Sequence, residues 1–171
     1  MNTYFECKLN FIKIDQAGYE RKCNDVYLLD AVSYTDAETR MYEKAQQLTK
    51  GAFAVKSIKA SAIAEVLADT HGEYWWKARI QFVTIDEEAG REKKTSQYML
   101  VMGDDAKQAL ENLENGLSYM LVPYRVVGLV ESTIVDVFPY DLEAAAAKLP
   151  AGERPEGVVF ENDEESEGGD E

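Results

Sequence analysis

Residues 4–15, Tyr4-Phe5-Glu6-Cys7-Lys8-Leu9-Asn10-Phe11-Ile12-Lys13-Ile14-Asp15, are echoed by residues 75–86, Trp75-Trp76-Lys77-Ala78-Arg79-Ile80-Gln81-Phe82-Val83-Thr84-Ile85-Asp86. The first stretch alternates: Phe5, Cys7, Leu9 and Phe11 fall on one side, Tyr4, Glu6, Lys8 and Asn10 on the other. Period two marks a half-buried strand. The echo continues in order, pairing Ala17-Gly18 with Ala89-Gly90, Asp36-Ala37 with Asp105-Ala106, and residues 53–66 with 124–137. Four blocks in one order predict two copies of one unit, about 2–67 and 73–138, around a core of approximate two-fold symmetry.

Each copy reads strand, strand, helix, strand. In the first, Asp15-Gln16-Ala17-Gly18 supplies turn chemistry between the opening strand and a second at about 19–32. Thr35 and Glu38 have capping-box spacing, so a helix is expected from Thr35, with Ala37, Met41, Ala45 and Leu48 as its apolar stripe and Gly51 as its stop. One long third strand is expected over 53–66. The second copy repeats this, with strands at 74–85 and 91–102 around a turn at 86–90. A helix from near Asp104 turns Ala106, Ala109, Leu110, Leu113 and Leu117 inward, and a last strand covers 124–138.

Two long hairpins, each followed by a helix and a returning strand, predict an α+β protein: an internally duplicated β-β-α-β unit with mostly antiparallel sheets and helices packed on one face. The other sheet face must be solvated, paired between the halves, or used for binding. A short helix capped by Asp141 is expected at 141–148, completing a single ordered domain over 1–149. Residues 150–171 turn acidic and Gly-rich, and a disordered tail is expected there.

Net charge is −14. Eleven of the acids fall in 139–171, against Lys148 and Arg154, so the part before them is only mildly acidic. No apolar run reaches the roughly 18–20 residues of a membrane span. The first residues lack a basic stretch followed by an apolar one, so a cytoplasmic protein without membrane partners is expected. Cys7 and Cys23 stand where the second copy has Ala78 and Thr95, which suits small strand residues kept as free thiols. His71 is the only histidine and sits in a connector with no nucleophile or metal set around it. There is no nucleophile elbow and no Gly-rich phosphate loop. Asp36, Glu38, Asp104 and Asp105 at the helix starts favour capping over anion binding, and Glu87-Glu88 reads as solvated turn charge. No enzyme, cofactor or metal is expected.

The side of the opening strands away from the apolar residues aligns Tyr4 with Trp75, Glu6 with Lys77, Lys8 with Arg79, and Asn10 with Gln81. The hairpins add Arg21, Lys22, Arg91, Lys93 and Lys94, and the third strands Lys56, Lys59 and Arg125. Exposed rings stack on bases for about 1–3 kcal/mol each while Lys and Arg follow the phosphates. Tyr4, Lys8, Trp75, Lys77, Arg79, Arg91, Lys93 and Lys94 are therefore the candidate nucleic-acid-binding residues. The blander account is that sheets are rich in aromatics and that alternating charge on a strand serves solubility. Seven acids among the last eleven residues would compete with nucleic acid for such a surface.

The segments Tyr4–Lys8, Tyr27–Glu38, Trp76–Phe82 and Val137-Phe138-Pro139-Tyr140 together resemble the family called domain of unknown function 4494, from gut Bacteroidales and their phages. The resemblance covers roughly 2–140. It implies no catalytic residues, and its phage and mobile-element setting implies a DNA transaction more than a metabolic step. The expectation is a non-enzymatic single-stranded DNA-binding accessory protein of phage or mobile-element origin, whose acidic tail regulates DNA access and recruits replication or phage proteins. The alternative is a structural module forming a homodimer through sheet faces or edges. A DNA-mimic inhibitor ranks lower, because a flexible tail cannot copy the fixed phosphate spacing of a duplex.

Overall fold

The computed structural model describes residues 3–68 and 70–140. The expected helix at 141–148 and the acidic stretch 150–171 lie outside the described residues. Five elements make up each repeat. The first repeat runs β1 (Thr3–Ile14), β2 (Glu20–Ala31), α1 (Tyr34–Leu48), β3 (Phe53–Ala60) and β4 (Ile63–Leu67). The second runs β5 (Tyr74–Asp86), β6 (Arg91–Gly103), α2 (Ala106–Gly116), β7 (Tyr124–Glu131) and β8 (Ile134–Phe138). The protein is α+β, and the repeats cluster as one unit ending at Phe138. Among the described residues no helix is long and apolar enough to cross a membrane.

The long third strand expected in each repeat is two strands, and they belong to different sheets. One sheet has the order β3-β1-β2-β8, the other β4-β6-β5-β7. β1 pairs antiparallel with β2 and β3, and β8 of the second repeat adds to β2 in parallel. The second sheet repeats this: β5 lies antiparallel to β6 and β7, and β4 of the first repeat lies parallel to β6. Each repeat thus lends its last strand to the other's sheet.

A serine makes each crossing. The Ser61 amide donates to the Tyr4 carbonyl at 2.7 Å, and the Ser61 hydroxyl accepts from the Ile63 amide at 3.2 Å. Ser132 does the same, donating to the Trp75 carbonyl at 2.7 Å and accepting from the Ile134 amide at 3.2 Å. A hydroxyl that takes an amide two residues on turns the chain without leaving that amide unpaired.

Three apolar interiors result. In the first, Phe5, Cys7, Leu9, Tyr27 and Leu29 pack against Ala37, Met41 and Ala45 of α1. In the second, Ala78, Ile80, Phe82, Met99 and Val101 pack against Ala109, Leu113 and Leu117. The third lies between the sheets and holds Leu28, Ile63, Trp75, Leu100 and Ile134. The layers are therefore helix, sheet, sheet, helix. Of the three uses open to the second sheet face, pairing between the halves is realised around Leu28, Trp75 and Leu100.

Local signals act at slightly different residues from those expected. The cap of α1 is Ser33, not Thr35: its hydroxyl accepts from the Asp36 amide, and the Asp36 carboxylate accepts from Val32. In α2, Asp105 accepts from the Gln108 amide while Gln108 Oε1 accepts from the Asp104 amide. These caps make Ser33 the counterpart of Asp105 and Ala37 that of Ala109, so the alignment of Asp36-Ala37 with Asp105-Ala106 is three positions out of step. The expected inward face also contracts, since Leu48 and Ala106 are exposed. Both hairpin turns hold glycine at positive φ, Gly18 at 84° and Gly90 at 60°. Both cysteines are free: Cys7 stands opposite Tyr27 and Cys23 opposite Phe11, in different rungs of the ladder. Burial, then the charge of Glu6, pushes the Cys7 thiol up to about 12.

Candidate nucleic-acid interface

The two rings at the head of the candidate site are not outward. Trp75 is 8% exposed and belongs to the interior between the sheets. Tyr4 is half-buried and packs against the same interior, and burial, followed by the charges of Asp30 and Glu65, raises its hydroxyl above the ordinary tyrosine range. The physical reason is the strand exchange: β4 and β8 bring Ile63 and Ile134 onto a face that an isolated hairpin would leave to solvent. A base has no access to a ring in that position, so stacking on Trp75 is ruled out as a mode of binding.

Along the same face, away from this interior, the strands emerge. Lys77, the next inward-facing residue after Trp75, is half-buried with its Nζ 4.6 Å from the Tyr98 ring centroid. Lys8 and Arg79 follow and are exposed. Asn10 and Gln81 come after them, half-buried. The cation and amide of each row are thus presented, and only the ring is withdrawn.

Register shows what joins them. On the first sheet Lys8 stands opposite Val26, Asn10 opposite Asn24, and Ile12 opposite Lys22. On the second, Arg79 is opposite Tyr98, Gln81 opposite Ser96 and also Arg125, and Val83 opposite Lys94. Opposite residues share a sheet face. Lys8, Asn10, Lys22 and Asn24 therefore form one patch, and Arg79, Gln81, Lys94, Ser96 and Arg125 another. The proposed Arg91, Lys93 and Lys94 cluster is split: Arg91 pairs with Asp86 and Lys93 with Thr84, which places them on the helix side. All three are exposed.

A pocket of about 390 Å³ opens at the first patch. Asn10, Asn24, Lys22 and Lys56 supply its polar lining, Ile12 and Ala54 apolar surface, and no carboxylate lines it. Asn24 was absent from the candidates read in the sequence. Its signal was the turn: once Ile14 faces Glu20, Asn24 must face Asn10.

The surroundings differ between the sheets. Lys59 Nζ lies 3.4 Å from Glu6 Oε2, and Glu6 also accepts from the Ser61 hydroxyl at 3.1 Å. The second sheet has Lys77 and Val130 at these places, opposite one another in register. A larger groove of about 630 Å³ lies on the helix side of the first hairpin, lined by Ile14, Tyr27, Leu48 and Val135, with Glu20 and Asp25 balanced by Lys13 and Lys50. His71 is exposed in the connector, where its carbonyl accepts from Asn112 Nδ2 at 3.0 Å.

The chain belongs to the family described as Domain of unknown function (DUF4494), which matches residues 3–140. No curated protein matches the chain, and no solved structure does.

Proposed function

For this member of the DUF4494 family we propose a non-enzymatic accessory protein that binds single-stranded DNA through its phosphates rather than by stacking on rings. The observation that carries the reading is the repeated row of cation and amide, Lys8 with Asn10 and Arg79 with Gln81, lying clear of the inter-sheet interior on both sheets. Lys22, Lys94 and Arg125 stand on the same faces. Cations spaced along two strands neutralise successive phosphates and release their counterions, which makes affinity depend steeply on salt. The acids of 150–171 supply a competing polyanion within the same chain, and the same segment is the natural hook for replication or phage proteins.

The test is fluorescence anisotropy of a labelled oligonucleotide, with the full chain and with a chain ending at residue 149, over a salt series. Tighter binding by the shortened chain is expected, with log K falling linearly against log salt. Lys8→Gln with Arg79→Gln should flatten that slope by about 1.4, at about 0.7 per phosphate contact on a single strand. No binding by the shortened chain at low salt would overturn the reading.

A second reading rests on a different observation. The outer strand β7 exposes Val127 and Val130, the latter at 64%, where β3 has Lys56 and Lys59. Leu121, 99% exposed, precedes it. Lysines on an edge strand discourage pairing with another chain, and β7 lacks them. A homodimer joined along β7 would follow, and light scattering would report a dimer that Val130→Lys returns to a monomer.

A further inference from the structure

Resting on the DNA-binding reading above, we propose that the pocket on the first sheet selects a base, and that the base is adenine. Asn10 and Asn24 stand directly opposite one another across β1 and β2, so their carboxamides lie on one face at the closest spacing a sheet offers. Both line the pocket of about 390 Å³, a size within the usual range for small-ligand sites. Neither carboxamide makes a hydrogen bond to another described residue. Asparagine is a poor strand former, so two of them in one rung need a reason beyond the sheet itself.

A carboxamide presents a donor and an acceptor side by side, which matches the donor and acceptor that adenine offers at N6 and N7. Cytosine offers that donor–acceptor couple on one edge only, N4 with N3, whereas adenine offers it on two, N6 with N7 and N6 with N1, one for each asparagine. Guanine offers two acceptors at O6 and N7, a match for the lysines, which the phosphates occupy. Ile12 and Ala54, the latter opposite Asn10 on β3, give the pocket apolar surface for the ring, while Lys22 and Lys56 flank it for the backbone on either side. A single strand can turn one unstacked base into such a site. The corresponding rung of the second sheet is Gln81 opposite Ser96, with one carboxamide only. That sheet therefore follows the backbone without reading it.

Competition between oligo-dA, oligo-dC and oligo-dT at fixed salt tests the assignment, using the chain ending at residue 149 alongside the full chain. Oligo-dA is expected to bind about five-fold or more tightly than oligo-dC, the discrimination of one good amide–adenine pair. Asn24→Leu, at an exposed position, and the double variant Asn10→Leu with Asn24→Leu should bring oligo-dA down to the level of oligo-dC while keeping the salt slope. Circular dichroism of the variants establishes that the fold persists. Equal affinity for all three homopolymers, or a preference the asparagine variants leave untouched, overturns this inference alone. Absence of binding to any of them overturns the DNA-binding reading itself.

Discussion

At the outer strand of the first sheet, Lys56 and Lys59 face solvent, whereas the matching strand of the second sheet has Val127 and Val130. Behind them the interiors barely differ: Leu9 corresponds to Ile80, Leu28 to Leu100, and Met41 to Leu113, all fully buried. The bulge between Lys8 and Leu9 recurs between Arg79 and Ile80. Duplication has kept the backbone and its irregularities while the two outer strands have gone separate ways, one toward lysines, the other toward an apolar edge. A close-packed interior tolerates little change in volume, and an exposed position tolerates almost any.

The largest test of this comparison is at the paired rings. Trp75→Ala removes a buried side chain and should cost about 3–5 kcal/mol, whereas Tyr4→Ala, half-buried, should cost about 1–2 kcal/mol. Urea unfolding measures both. Equal and negligible costs would mean that neither ring belongs to an interior.

A smaller difference is expected where the connector between repeats passes. A Cβ on Gly103 would meet the Ala109 amide nitrogen at 2.6 Å, and one on Gly72 would meet Gly103 itself at 2.4 Å. The first repeat has Ala31, fully buried, at the place of Gly103. Gly103→Ala should therefore destabilise by about 1–3 kcal/mol through overcrowding. Ala31→Gly should cost only about 0.5–1 kcal/mol through lost stiffness. Thermal midpoints that moved equally would remove the asymmetry assigned to the connector.

The smallest effect lies at the turn of the first hairpin. Asp15 is held below the ordinary carboxylate range, first by the hydrogen bond from the Tyr19 amide, helped by the Arg21 side chain at 3.0 Å and by the Ala17 and Gly18 amides. A carboxyl depressed in the folded state steadies the turn above its ordinary pKa near about 3.9, and that support fades as pH falls through the lower folded value. Amide chemical shifts of Ala17 and Tyr19 should titrate with a midpoint under about 3.9. A midpoint at or above it would break the link between this carboxylate and its turn.

Much of the architecture could be read before any coordinates. Alternation in 4–15 and 75–86 marked the hairpins, and the ordered echo marked the repeat. What escaped was decided by partners distant in sequence. Nothing in Ile63–Leu67 says that its neighbour is β6 of the other repeat, because a short apolar strand suits either sheet. Tyr4 and Trp75 misled for the same reason: an amphipathic ring serves an exposed face and an interior equally well. The cap of α1 was ambiguous locally, since Ser33 and Thr35 both carry a capping hydroxyl. In the candidate site the cations were legible one by one. Their grouping was not, because it depends on register, which set Asn24 beside Asn10 and sent Lys93 to the far side of its sheet.

The crossed strands also bear on how this chain comes apart. Since β4 and β8 each complete the opposite sheet, a nick in the connector at 68–73 would leave two pieces still clasped together, and neither piece could melt without stripping a strand from its twin. Amide protons at Leu28 and at Leu100, one in each sheet beside a borrowed strand, should thus exchange with solvent through a single shared opening.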